Sequence, residues 1–253
     1  MTTALLEAST TAPGAFARIW NVVRLHYTNR WTILGVPWMI IGFVFLVNLA
    51  IWIIIRSASG GQTSLDGTQW SGSTAYIFIY SIVVAVQAMN QTFSFALGYS
   101  ATRRDYYLGS VLAFGVQSAL FTIAFVLLSY IEEWTGGWGL GGHFFANAYF
   151  GTGPIWQRMF TVFGAFLFCF FIGSISGAVF VRWKLNGMLV LMGIVAVLGV
   201  GGFAVAALTN AWSAIGAWFV ASGATGVVAW LLIPSALAAI IGFFVLRRAT
   251  PRG

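Results

Sequence analysis

The chain is 253 residues long, 60% hydrophobic and only 7% charged, with a mean hydropathy of +0.91. A soluble domain carries about 25% charged residues, so this chain cannot cover a water-facing surface, and an all-α, multi-pass membrane protein is expected. Its net charge of +7 and pI near 10.1 do not point to nucleic acid. The basic residues are dispersed at the ends of apolar runs instead of being clustered into a footprint.

Residues 1–13 are small and polar. From Gly14 to Trp31 the apolar side chains Phe16, Ile19, Trp20, Val23, Tyr27 and Trp31 recur at three- and four-residue spacing, with Arg18, Asn21, Thr28 and Arg30 between them. That pattern predicts an amphipathic helix lying on a membrane surface. The first apolar run starts near Gly35, too far along for an ordinary signal peptide, and reads as a retained anchor.

Six runs reach the roughly 20 residues that a bilayer core requires: 35–55, 74–97, 111–131, 160–181, 186–208 and 227–246. The chain therefore divides into an N-terminal segment (1–34), a six-helix membrane domain (35–246) and a short tail (247–253). With the N-terminus inside, the cytoplasmic side holds Arg18, Arg24, Arg30, Arg103, Arg104, Arg182, Lys184, Arg247, Arg248 and Arg252. The outer side holds only Arg56 and Arg158. This asymmetry predicts a plasma or inner membrane protein with both termini in the cytoplasm. The very short turn at 182–185 predicts that the fourth and fifth spans form a hairpin. The long Gly/aromatic stretch after Glu133 is expected to lie in the outer interface or dip partway into it, and the uncharged 209–226 stretch to form a short re-entrant helical pair.

Several chemistries lack their residues. There is no GxxxxGK[ST] phosphate loop, so ATP hydrolysis by that route would need a partner chain. Cys169 is the sole cysteine, and His26 and His143 are predicted on opposite sides, which leaves no metal set and no triad. Glu132 and Glu133 are adjacent, point to different sides of a helix, and are expected to be solvated at the outer boundary. In Gly173-Ser174-Ile175-Ser176-Gly177 the two glycines form a small-xxx-small face suited to helix packing. Gln87, Asn90 and Gln91 share one face of the second span. Gln117 in the third span is placed at a similar depth, close enough for a hydrogen bond to Gln91. These four amides are read as interhelical bonding or as the polar lining of a substrate path, and Asn48 is a lone amide in the first span. No charged residue is predicted deep in a span, which argues against an ion-coupled carrier.

The stretch between the second and third spans, with Gly98, Thr102, Arg103, Arg104, Asp105, Tyr106, Tyr107, Leu108 and Gly109, resembles the first cytoplasmic loop of type-2 ATP-binding-cassette (ABC) permeases. Gly173–Gly187, a small-residue helix followed by a basic turn, is similar to their fourth-to-fifth span junction, although Trp183 and Lys184 depart from the usual pattern. The resemblance implies a type-2 exporter-like fold and a half-transporter that works as a homodimer or heterodimer of permease chains. A separate cytoplasmic ABC ATPase would bind the ATP and Mg, and this chain would hold no cofactor. Thr102, Arg103, Arg104, Asp105 and Tyr106 would then form the coupling helix, and an amphipathic drug, peptide or lipid would be the cargo. The alternative is a non-transporting membrane scaffold that recruits a cytoplasmic partner.

Overall fold

The apolar runs fold as helices because only that geometry satisfies their backbone N–H and C=O groups without water. The computed structural model describes residues 14–98 and 101–249. Residues 1–13 and Arg252 of the tail, used above, lie outside that range. Helix α1 spans Ala15–His26, α2 Val36–Ala58, α3 Ala75–Gly98, α4 Arg103–Trp134, α5 Ile155–Leu208 and α6 Trp212–Arg247. Among the described residues, five helical segments are long and apolar enough to cross a membrane: Trp31–Ala58, Asp66–Gly98, Arg103–Trp134, Ile155–Leu208 and Trp212–Arg247. The chain is an all-α, multi-span membrane protein.

Two of these segments are bent. Drawn straight, the 54 residues of α5 would reach about 80 Å, more than twice the roughly 30 Å hydrocarbon core. The helix breaks at Lys184, where φ is 54° and ψ is −142°. A Cβ on Gly187 would lie 3.1 Å from Val179 Cγ1, although eight residues of straight helix separate positions by about 12 Å. The limbs 155–183 and 185–208 therefore fold against each other at this turn. Helix α6 breaks at Gly223 (φ 59°), and the Trp218 and Trp230 rings come within 6.4 Å. Of the expected helical pair, the structure forms one short helix, 212–222, between turns at Asn210 (φ 51°) and Gly223.

The amphipathic helix also ends earlier than its spacing implies. It stops at His26, and the chain bends before Asn29, whose Oδ1 accepts from Thr32 N at 3.2 Å. A π-helical turn at Trp31–Gly35 then leads directly into α2, with Pro37 in the first turn. Periodicity persisted past His26, but Asn29 supplies a local acceptor that starts the next helix instead.

The core lies between α3, α4 and the first limb of α5. Phe78 and Phe121 both meet the buried Phe166, with ring centroids 4.6 and 5.4 Å away, and Phe114 stacks on Phe170 at 5.3 Å. Gly173 and Gly177 let α5 approach α3: a Cβ on Gly173 would stand 2.4 Å from Ile82 O, and one on Gly177 2.6 Å from Met89 Cβ. Helix α2 buries only Pro37, Ile41 and Trp52, and between 185 and 208 only Ala206 is buried. These two segments are peripheral, presenting wide apolar faces of the kind that lipid accepts.

Candidate functional site

The first turn of α4 is where most of the helices meet. Thr102 is the N-cap, its Oγ1 accepting from Asp105 N at 3.1 Å, which satisfies one of the open amides of a helix start. Four of the residues that follow attach to three neighbouring helices. Arg103 Nη1 donates to Arg247 O at 3.0 Å, placing a cation at the C-terminus of α6. Asp105 Oδ2 accepts from Arg18 Nε of α1 at 2.7 Å. The Tyr106 hydroxyl is 2.8 Å from Thr92 Oγ1 of α3. The Tyr107 hydroxyl donates to Ala239 O of α6, and it lies close enough to Gly242 that a Cβ there would be 3.1 Å away. Asp105, Tyr106 and Tyr107 are buried, whereas Thr102 and Arg104 are exposed. Within this chain the acid and both tyrosines therefore hold helices together, and Arg104 is the charge turned outward.

Helix α1 lies along α4 because Gly109 removes the side chain that would separate them. A Cβ there would lie 2.5 Å from Val22 Cβ. His26 Nε2 is 2.8 Å from Ser110 Oγ, and both residues are buried. Ser110 donates its hydroxyl proton to Tyr106 O at 2.9 Å, so His26 Nε2–H donates to Ser110. Burial lowers the His26 pKa to about 4, which keeps the ring neutral. The distance is that of a nucleophile–base pair, but the serine proton points away from the histidine and the contact is closed to solvent. It is a clamp. Tyr27 adds a bond to Ala113 O at 3.2 Å. On its other face α1 exposes Phe16 and Trp20, stacked at 6.5 Å, as suits an interfacial helix.

The amides divide into two groups. Gln87, Asn90, Gln91 and Ser94 are all exposed along one face of α3, at i, i+3, i+4 and i+7. Gln117 is buried elsewhere and donates to Ile33 O at 3.2 Å, while its Oε1 has no protein partner. The expected bond between Gln91 and Gln117 is not formed. The π-helical turn leaves a carbonyl that Gln117 satisfies, so Gln117 holds the entry of α2, not the α3 face. Asn48 donates to Val44 O at 2.8 Å and accepts from Ser73 at 3.3 Å.

At the other end of α4, Glu132 is fully buried, contrary to the expectation of a solvated carboxylate. Its Oε1 accepts from Phe144 N (2.8 Å) and Ala146 N (2.9 Å), and its Oε2 from Phe145 N (3.1 Å) and Trp138 Nε1 (2.7 Å). The glycine-rich loop folds back through the left-handed backbone of Gly136, Gly137, Gly139 and Gly141 and offers its amides to one carboxylate. Next to it, Arg158 Nη2 pairs with Glu133 at 2.6 Å and the guanidinium lies 4.3 Å over the Tyr130 ring. Arg56 donates to Leu140 O at 2.8 Å.

The buried roles of His26 and Glu132 were missed in the sequence because each partner is far along the chain or is a backbone amide. Among the described residues no three His, Cys, Asp or Glu side chains gather as a metal site. Comparison with protein-family models, with curated proteins and with solved structures finds no match.

Proposed function

We propose that this chain is the membrane-spanning permease subunit of an ATP-driven exporter, acting with a separate cytoplasmic ATPase. The observation that carries the reading is the first turn of α4, where Arg103, Asp105, Tyr106 and Tyr107 join α6, α1 and α3. A displacement of that turn would be passed to three helices at once, as coupling demands of a joint. Thr102 and Arg104 are the exposed groups through which a partner makes contact, while Asp105 and Tyr106 transmit the motion inside the chain.

In this reading α5 supplies two crossings on either side of Lys184, which gives six spans. The end bearing Arg103 faces the cytoplasm. Of the cations at the opposite end, Arg56 donates to Leu140 O of the loop and Arg158 pairs with Glu133 of α4, which offsets their cost on the outer side. Two chains would enclose a pathway lined by Gln87, Asn90 and Gln91, since a row of exposed amides is costly against lipid. An amphipathic cargo suits a lining of neutral amides between apolar faces.

The test is co-purification of the tagged chain with a co-expressed ABC ATPase. Arg104→Glu is expected to weaken association and lower ATP hydrolysis while leaving the thermal stability of the chain unchanged. Unchanged association would overturn the coupling reading, and association without cargo-stimulated hydrolysis would favour a scaffold.

A further inference from the structure

The hairpin at Lys184 encloses a crevice of about 390 Å³ between the two limbs of α5. It is lined by Val179, Trp183, Gly187, Val190, Leu191 and Ile194, with the Asn186 amide among them. A volume of this order is that of a small-ligand site. The lining is almost wholly apolar, and Trp183, Val190 and Ile194 are exposed, so the crevice opens sideways toward the bilayer.

Its rim is cationic. The Arg182 guanidinium lies 4.3 Å over the Trp183 ring, and the Lys184 ammonium lies 5.8 Å from the centre of the Phe180 ring. Both charges are thus held at the turn where the apolar lining ends. Neither belongs to an ion pair among the described residues. The described carboxylates are engaged elsewhere: Asp105 with Arg18, Glu133 with Arg158, Glu132 with loop amides, and Asp66 with Ser64.

We propose that this crevice binds an anionic phospholipid, one acyl chain lying between the limbs and the headgroup phosphate meeting Arg182 and Lys184. An apolar slot under two unpaired cations matches a molecule with a chain and a negative head. A helix from a second copy, about 10 Å across with its side chains, is too wide for a wedge whose walls already touch at Val179 and Gly187. The inference is independent of ATP coupling.

The experiment uses the full chain, purified in detergent and equilibrated with equal amounts of dioleoylphosphatidylglycerol and dioleoylphosphatidylcholine. Retained lipid is counted by native mass spectrometry. The wild type is expected to keep one phosphatidylglycerol in preference to phosphatidylcholine. Arg182→Gln with Lys184→Gln should lower that preference by about tenfold, since each cation near a membrane surface adds attraction for anionic lipid. Ile194→Trp fills the slot without changing charge and should also release the lipid. Arg247→Gln with Arg248→Gln removes the same charge from the end of α6 and should leave retention intact. Equal retention of the two lipids, or by the crevice variants, overturns the site. An equal loss in the α6 variant assigns the binding to general surface charge and overturns it too.

Discussion

Arg18 and Asp105 lie 87 residues apart in the chain and 2.7 Å apart in space, so a single ion pair fixes the interfacial helix to the start of α4. The Arg18 side chain is 35% exposed, and solvent screening holds the contribution of the pair to about 1 kcal/mol. Asp105→Asn leaves the Thr102 cap in place, because that cap uses the backbone amide of Asp105. We expect Asp105→Asn and Arg18→Gln each to destabilise the purified chain by about 1 kcal/mol, with the double variant losing clearly less than the sum. Strictly additive losses in thermal unfolding would mean that the two groups do not act together.

The second tie between these helices responds to pH. His26 has its pKa lowered to about 4 by burial, against about 6.5 in an unfolded chain. Between those values the unfolded state binds more protons, so stability is complete above about pH 6.5 and falls as the pH drops toward 4. The full loss is on the order of 3 kcal/mol. Unfolding temperature should be flat from neutral pH upward and decline through this window, and His26→Gln should remove most of the decline. The same slope in His26→Gln would place the pH response on another group.

Residues that act through apolar periodicity were legible before folding was considered: the long helices, the amphipathic stretch around Phe16 and Trp20, and the basic turn near Lys184. Gln87, Asn90 and Gln91 were legible as one face because helical spacing alone puts them together. Gln117 was not, because its partner is a carbonyl freed by the π-helical turn at Trp31–Gly35, and no side-chain pattern announces such a turn. Glu132 was misread for a related reason. Its partners are backbone amides of a loop, and a carboxylate beside a glycine-rich stretch looks solvated until the loop is seen to fold over it. In the joint, Asp105 and Tyr106 have the composition of a partner surface, but Arg18 and Thr92 had to be known before their burial could be.

Glu132 gives the third prediction. A carboxylate with two oxygens accepts all four N–H groups that meet it, whereas glutamine keeps one acceptor and turns an NH₂ toward donors. Glu132→Gln leaves buried amides of Phe144–Ala146 or the Trp138 indole unsatisfied, at about 1–3 kcal/mol each. We expect a total loss above about 3 kcal/mol and faster proteolysis within residues 137–150. Helix α1 should stay docked, because its ties to α4 are at the opposite end. A loop as resistant as in the wild type would show that the carboxylate does not hold it.

The close approach of α3 and α5 can be tested by adding one methyl group. At Gly173 a Cβ would meet Ile82 O at 2.4 Å and Ala85 Cβ at 2.7 Å. The first is backbone and cannot yield without moving α3. Overpacking of this kind costs about 1–3 kcal/mol, and Gly173→Ala should lower stability by an amount in that range. Gly115 on α4 has open space around its would-be Cβ, and alanine there removes the entropic cost of a helical glycine, about 0.5–1 kcal/mol. Gly115→Ala is therefore expected to be neutral or stabilising. Opposite signs for two chemically identical substitutions in neighbouring helices would isolate the helix contact from glycine propensity. Destabilisation by Gly115→Ala as large as by Gly173→Ala would remove the case for a close α3–α5 contact.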